Sequence, residues 1–255
     1  MTRMISIYLL LLILALSISP AMSQLPFLPY QLTFPRVKAA ATATEESLSD
    51  RCAQMNIAFP PEKLYIRILK HESKLEVWAA GLQTPYALFK TYDICAKSGQ
   101  LGPKKREGDL QTPEGFYHIN HFNPQSSYHL SLKINYPNEA DKIRNAAESN
   151  MGGDIYIHGD CVTVGCLPLT DEKIRELYWL CAKTYGTHTK VIPVHIFPFR
   201  WTAERITEMK KRYPATSLWT QWEILGQMYT YFEKNKKLLK VNGVDKNGQY
   251  LLEQP

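Results

Sequence analysis

A histidine and a cysteine stand eight residues apart in the segment 155–169. His158 ends a short apolar alternation, and Cys166 follows a short loop. Thiolate is the nucleophilic form of cysteine, and a free thiol has a pKa of about 8.5, so a nearby imidazole that takes its proton would activate it. The pair indicates nucleophilic catalysis, with Cys166 as the nucleophile and His158 as the general base.

Glycine precedes the cysteine and follows the histidine. Gly165 allows close approach of the backbone, so that the amides beside Cys166 can face a developing oxyanion. From these residues alone a structural role stays open, in which His158 caps a strand and Cys166 is a small buried thiol. A metal site made by His158, Cys161 and Cys166 is disfavoured, because the paired Cys-x-x-Cys spacing of structural zinc sites is missing.

The elements that must position this segment alternate in hydrophobicity with the period of strands, which favours a mainly β domain with helices (α+β). Period-two patterns predict strands at 64–70, 75–79, 87–96, 116–121, 127–134, 154–158 and 191–197. Helices are predicted at 45–55, at 141–149, after a Thr170 N-cap, at 202–213 and at 217–235, followed by a hairpin over 241–252.

The first 23 residues resemble an export signal. Arg3 precedes an apolar run over 5–18, and small residues follow at 20–23. A bilayer span needs roughly twenty apolar residues, which makes this run short for an uncleaved anchor, the alternative interpretation. We expect a signal peptide at 1–23, an extended tether at 24–44, a catalytic domain at 45–200 and a helical C-terminal extension at 201–255.

Composition is that of a globular protein, with 45% hydrophobic residues, 21% charged residues and a net charge of +6. Three short basic runs are interpreted as solvated faces, or as a weak preference for cell wall or a membrane surface. The cysteine count is five. In an oxidising compartment an odd count leaves at least one thiol free or paired with another chain. The pairing of Cys52, Cys95, Cys161 and Cys181 stays open.

The catalytic segment resembles the signature of the L,D-transpeptidase (YkuD-type) catalytic domain, which reads His-Gly, a loop, Ser/Thr-x-Gly-Cys and an apolar residue. The matching residues are His158-Gly159, Thr163, Gly165-Cys166 and Leu167. Upstream, the stretch Gly108 to Tyr117 with its Thr112-Pro113 resembles the family's Thr-Pro-x-Gly-x-Phe turn. The wording Gly-Cys-Leu-Pro-Leu-Thr-Asp is most similar to the YafK-like branch of this family.

The resemblance implies a β-sandwich or open-barrel fold and an exported enzyme of cell-wall biogenesis and cell shape, located in the periplasm or cell envelope. Cys166 would attack an L-to-D peptide bond of a peptidoglycan stem peptide, and an amine or water would resolve the thioester. The Gly159 carbonyl would orient the imidazole, and Thr163, Tyr156 and Tyr117 would contact substrate. The resemblance implies no metal, no organic cofactor and no nucleic-acid partner.

Two positions depart from the family pattern. Val164 stands where many members have a second histidine, which leaves His158 as the local base. Pro168 stands where many members have an arginine, which removes one cation suited to a substrate carboxylate. Three functions therefore remain in competition: an acyltransferase, a hydrolase that cuts an L,D-type bond between peptidoglycan and a peptide or protein, and a catalytically silent wall-binding module.

Overall fold

The N-terminal part of the chain is helical. A computed structural model describes residues 26–214 and 217–255, so the expected signal peptide lies outside the described residues. Helix α1 (Phe27–Leu32) and helix α2 (Pro35–Gln54) come first. The prediction of an extended tether at 24–44 is wrong for residues 27–32 and 35–44. Proline at the first helical position costs no hydrogen bond, and the alanines that follow it favour a helix.

Eight strands form one sheet. In chain order they are β1 (Lys63–Leu69), β2 (Lys74–Ala80), β3 (Ala87–Asp93), β4 (Gly115–Asn123), β5 (Ser131–Ile134), β6 (Tyr156–His158), β7 (Leu167–Pro168) and β8 (Pro193–Phe197). Their order in the sheet is β3-β2-β1-β8-β4-β5-β6-β7. β1 pairs with β8 and β6 pairs with β7 in parallel, and the other neighbours are antiparallel.

Strand β4 joins the two halves of the sheet. Its residues 115–118 pair with β8, and its residues 119–123 pair with β5. The β4–β5 register shifts between Ile119 and His121, and such an irregularity bends a strand. The sheet curls into a half-barrel. This confirms the α+β fold class with an open-barrel sheet.

The remaining elements cover the sheet. They are α3 (Glu139–Arg144), α4 (Asp171–Thr187), α5 (Ala203–Arg212), α6 (Leu218–Asn235) and the hairpin β9 (Lys240–Val244) with β10 (Tyr250–Glu253). The Thr170 cap and the two C-terminal helices are confirmed, as is the hairpin. Within residues 26–214 and 217–255, no helix combines the length and the apolar character that a membrane span requires.

Both faces of the central strand β1 are buried. Leu64 and Ile66 join the cluster formed with α2 and α4, whereas Tyr65 packs against Phe232 of α6 on the other face. A strand covered on both sides shows no exposed face, which is why β1 is buried almost throughout. Helices α2 and α4 thus cover one face of the sheet, and α6 covers the other. Strands β6 and β7 lie at one edge of the sheet.

Candidate active site

The pairing of β6 with β7 brings together the two segments that carry His158 and Cys166. Ile157 is opposite Leu167, and both side chains belong to the core. Side chains alternate across a strand, so His158 lies on the opposite face from Ile157, where the ring of Tyr128 covers it. Cys166 directly precedes Leu167, outside the strand, and its thiol lies beside the backbone of Asp154 and Tyr156 at the start of β6. Two short parallel strands therefore bring together residues separated by a loop.

The imidazole of His158 has a fixed orientation. Its Nδ1 lies 2.5 Å from the carbonyl oxygen of Gly159, an acceptor, so the proton is on Nδ1 and Nε2 is left as the basic nitrogen. The ring of Tyr128 packs against it with 4.8 Å between ring centroids. The side chain is almost fully buried, and this burial lowers the pKa of His158. The imidazole is consequently neutral at pH 7.

Gly159 is required by close packing. A Cβ at this position would lie 2.6 Å from Asp171 Oδ1 and 2.9 Å from the carbonyl oxygen of Tyr128. The Gly159 amide donates to that same Tyr128 carbonyl at 3.0 Å. The backbone that carries the acceptor for His158 is thereby clamped between the loop before β5 and the start of α4.

The thiol of Cys166 is partly exposed and donates to the carbonyl oxygen of Asp154 at 3.6 Å. Burial raises the pKa of Cys166, while the Tyr156 backbone N–H and the charge of Lys104 act in the opposite direction. No hydrogen bond joins Cys166 to His158 among residues 26–214 and 217–255. The pKa shifts of Cys166 and His158 both favour the neutral form of the group, so they give no support to a thiolate–imidazolium pair.

The loop before Cys166 is held by its own side chains. Gly165 has φ +138°, and a Cβ there would lie 3.0 Å from the carbonyl oxygen of Gln111. The Gly165 amide donates to Thr163 Oγ1 at 3.1 Å, and that hydroxyl donates to the Cys166 carbonyl at 2.8 Å. Both hydrogen-bonding functions of Thr163 are thus used within the loop, and it does not face the cleft as a free substrate contact.

The two tyrosines expected near substrate lie in different environments. Tyr156 is partly exposed, and the ammonium of Lys133 is 5.8 Å from its ring centroid. Tyr117 is buried, and its hydroxyl lies 3.0 Å from Asp141 Oδ2. The structure does not bring Tyr117 to the cleft, because β4 turns this side chain into the core beneath α3.

A cavity of about 220 Å³ opens beside Cys166, the candidate nucleophile. Its walls come from the turn after β1, the segment after β3, the Thr112 turn, the nucleophile strand and the end of α5. The lining residues are Lys70, His71, Ser73, Ile94, Ala96, Lys97, Ser98, Gly99, Gln100, Leu101, Thr112, Cys166, Leu167, Arg212 and Tyr213. Residues from the C-terminal extension and from the catalytic domain thus share one cleft.

A buried ion pair ties the extension to the cleft wall. Lys70 Nζ lies 2.9 Å from Glu114 Oε1 and donates to the Thr112 carbonyl at 2.8 Å. Glu114 also accepts from Trp222 Nε1 of α6 at 2.8 Å. The Thr112 turn is therefore anchored to Lys70 and, through Glu114, to Trp222 of α6. The sequence placed Glu114 at a variable position of that turn and gave no signal for this network.

A disulfide bond crosses the site. Cys95, after β3, is bonded to Cys161, which lies in the loop between the two catalytic candidates. The Cys95 amide also donates to the Pro168 carbonyl at 3.1 Å. Cys161 is therefore neither a free thiol nor a thiolate ligand, and in the part of the chain that is described no cluster of His, Cys, Asp and Glu is arranged to hold a metal ion.

Sequence reasoning did not identify three of the groups around the candidate residues His158 and Cys166: the Tyr128 ring, the Asp154 carbonyl and the Gln111 carbonyl. Tyr128 stood in a predicted strand, and no residue pattern marked it. The other two act through the backbone, which every residue possesses. Only the three-dimensional path of the chain identifies them.

Comparisons with known proteins agree with the resemblance. The family model described as the L,D-transpeptidase catalytic domain (YkuD) matches residues 64–196. The chain is 35% identical over 194 residues to the Escherichia coli protein named "Putative L,D-transpeptidase YafK", covering 75% of this chain and 74% of that protein. Among solved structures, the helical cell shape determining protein Pgp2 from Campylobacter jejuni is 18% identical with a TM-score of 0.43, covering 71% of this chain and 73% of that one. L,D-transpeptidase 1 from Mycobacterium tuberculosis is 16% identical with a TM-score of 0.30, covering 52% and 61%.

Proposed function

Since this chain belongs to the L,D-transpeptidase (YkuD) catalytic domain family, we propose that it is an exported cysteine acyltransferase acting on peptidoglycan stem peptides. The observation that supports the proposal is the parallel pairing of β6 with β7, which brings together the segments that carry His158 and Cys166, with Cys166 lining a cleft. A neutral imidazole on the segment next to a neutral thiol suits general-base activation once substrate moves the thiol towards it.

The first half of the reaction forms a thioester. Substrate entry displaces the Cys166 thiol from the Asp154 carbonyl, and Nε2 of His158 takes the thiol proton. The sulfur attacks the carbonyl carbon of an L-to-D peptide bond, the C–N bond breaks, and His158 returns the proton to the departing amine. Positioned proton transfer of this kind contributes about 10²–10⁴-fold to the rate.

The developing oxyanion needs a backbone donor. Because the Gly165 amide is engaged with Thr163, we assign this role to the amide of Cys166 itself. The positive φ of Gly165 gives this part of the loop a path that other residues rarely adopt. One donor of this type contributes about 3 kcal/mol to transition-state stabilisation in other acyl-transfer enzymes.

The second half releases the thioester to an acceptor. An amine acceptor gives a new amide bond and a transferase, whereas water gives a free carboxylate and a hydrolase that cuts an L,D-type bond. His158, neutral again after the first half, removes a proton from either acceptor. The proposed location is the periplasm or cell envelope, which rests on the apolar run and small residues at 5–23.

The test is incubation of the chain from residue 24 with purified sacculi, followed by mass spectrometry of the released muropeptides and of the intact protein. Cross-linked products and an acyl adduct on Cys166 support the proposal, and the Cys166→Ala variant is the matched control. Cleaved products alone would leave the hydrolase. Binding to sacculi with no adduct and no product would indicate the wall-binding module and contradict an enzyme.

A further inference from the structure

Two exposed cations border the cleft beside Cys166. Lys97 lies on the segment after β3, and Arg212 is the last residue of α5. Neither takes part in an ion pair within residues 26–214 and 217–255, whereas the third cationic chain in the lining, Lys70, is neutralised by Glu114 at 2.9 Å. The described lining contains no acidic residue. The cleft therefore carries unbalanced positive charge.

We propose that Lys97 and Arg212 bind a carboxylate of the peptide substrate, so that the enzyme selects acyl donors carrying a free carboxylate. This inference rests on the proposed function, because the cleft is taken to hold the substrate of Cys166. A carboxylate is the common anionic group of a peptide. A guanidinium can bind it through two parallel hydrogen bonds, and an ammonium adds a point charge.

The backbone beneath Lys97 is fixed on both sides. Two residues before it, Cys95 is covalently bonded to Cys161. Three residues after it, the Gln100 amide donates to Gln111 Oε1 at 2.9 Å. Lys97 thus extends from a loop whose backbone is anchored on both sides, and these anchors hold it at the cleft near Cys166.

Arg212 is held by the aromatic cluster of the C-terminal extension. The neighbouring ring of Tyr213 packs edge-on against Trp222 with 5.4 Å between ring centroids, and Trp219 Nε1 donates to the Tyr213 carbonyl at 2.7 Å. The Arg212 guanidinium lies 5.6 Å from the Tyr213 ring centroid. Arg212 stands outside the matched family region 64–196, so the extension contributes to recognition of the substrate.

The positions of Lys97 and Arg212 explain why the cleft would prefer a substrate with a free carboxylate. They approach the cleft from separate elements, so a carboxylate placed between them gains from both while the reacting carbonyl lies at Cys166. The basic neighbours Lys210 and Lys211 belong to the same end of α5 but do not line the cleft. Since both cations are exposed, salt weakens their attraction for an anion.

The experiment measures the rate of Cys166 acylation by a stem peptide and by analogues in which one carboxylate at a time is an amide. We expect the wild type to prefer the peptide with one particular carboxylate free. The double variant Lys97→Gln/Arg212→Gln should raise the KM for that peptide about tenfold, as two exposed charge pairs allow. In this variant the KM for that peptide and the KM for its amidated analogue should be nearly equal. Lys211→Gln is the matched control and should retain the preference.

The outcomes separate the inference from the function on which it rests. If no peptide acylates Cys166 in the wild type, the proposed function fails. If the wild type is acylated equally well by every amidated analogue, and the double variant has an unchanged KM, the carboxylate site is overturned while the enzyme assignment stands. A change that appears in kcat for all peptides equally would also contradict a binding role.

Discussion

The Cys166 thiol donates to the carbonyl oxygen of Asp154, 3.6 Å away, and makes no hydrogen bond with His158 among the described residues. Burial raises the pKa of the thiol and lowers that of the imidazole. Both shifts oppose a preformed thiolate–imidazolium pair, because each favours a neutral group. In the proposed mechanism, the sulfur therefore leaves Asp154 when substrate binds, and the thiol proton moves to His158 at that moment.

The pH dependence of acylation follows from this state. Activity requires neutral His158, so kcat/KM should fall on the acid side as the imidazole is protonated. The folded pKa lies below the ordinary value of about 6.5, so the acid limb should lie below pH 6.5. His158→Ala should lose about 10²–10⁴-fold and lack this limb, whereas His121→Ala, at an exposed position of β4, should retain it. A wild-type acid limb above pH 7 would contradict a lowered pKa of His158 as the group that sets it.

Thiol reactivity should identify the nucleophile. Cys166 is partly exposed, whereas Cys52 and Cys181 are buried, and burial raises the pKa of Cys52 to about 11. Alkylation of the folded protein followed by peptide mass spectrometry should show Cys166 modified first. Cys166→Ala should fold and form no acyl adduct, while Cys52→Ala should form one. An adduct that persists in Cys166→Ala would refute the assignment.

Gly159 offers a test of imidazole orientation. A Cβ would lie 2.6 Å from Asp171 Oδ1, so Gly159→Ala should displace the loop and cost about 1–3 kcal/mol of unfolding free energy. Activity should fall by more than the folded fraction does, since the carbonyl that holds His158 moves. Gly153→Ala is the control, because no atom lies within 4 Å of its Cβ position and its φ is not in the left-handed region. Denaturation and acylation rates measure both effects. Equal losses of unfolding free energy and of acylation rate in Gly159→Ala and Gly153→Ala would contradict the packing argument.

The disulfide should support both stability and activity. It links residues 66 apart, and removal of such a bond costs typically about 2–4 kcal/mol. Cys95→Ser/Cys161→Ser should therefore lower the free energy of unfolding and reduce kcat/KM, because the cleft wall and the loop before Cys166 are no longer joined. Chemical denaturation and acylation kinetics test this. A reductant should affect the wild type similarly and leave the double variant unchanged, which separates the bond from other thiol effects.

The sequence predicted the strands well because period-two alternation is a local signal. It missed β7, since two residues are too few for any period and Leu167–Pro168 is a strand only through pairing with β6. It also missed α1 and the first part of α2, because a segment rich in proline and small residues is typical of an extended chain. Pro35 instead begins a helix, where its ring favours the required backbone angle.

Cys166 and His158 could be proposed as a catalytic pair from sequence because both residues lie in one short segment. The other walls of the cleft could not be proposed in this way. Lys97 and Arg212 are distant from Cys166 along the chain, and only the packing of α5 and the disulfide brings them to it. Tyr117 shows the opposite case, a residue that was predicted to reach the substrate but lies in the core. On a strand covered on both faces, alternation does not tell which side chains reach a cleft, and this hydroxyl points to Asp141.

The acceptor that releases the thioester decides whether the enzyme is a transferase or a hydrolase. Water and an amine attack the same carbonyl with the same base, so one assay compares them. We expect amide product to rise with amine concentration at the expense of hydrolysis, and little water oxygen to enter the product. The assay is run in isotopically labelled water with a stem-peptide donor, and mass spectrometry measures the label. Because His158 is neutral at pH 7, the base is available to either acceptor. The ratio of amide product to hydrolysis product therefore reports how well the amine and water reach the thioester. If all product carries the label even at high amine concentration, the transferase is refuted while catalysis by Cys166 stands.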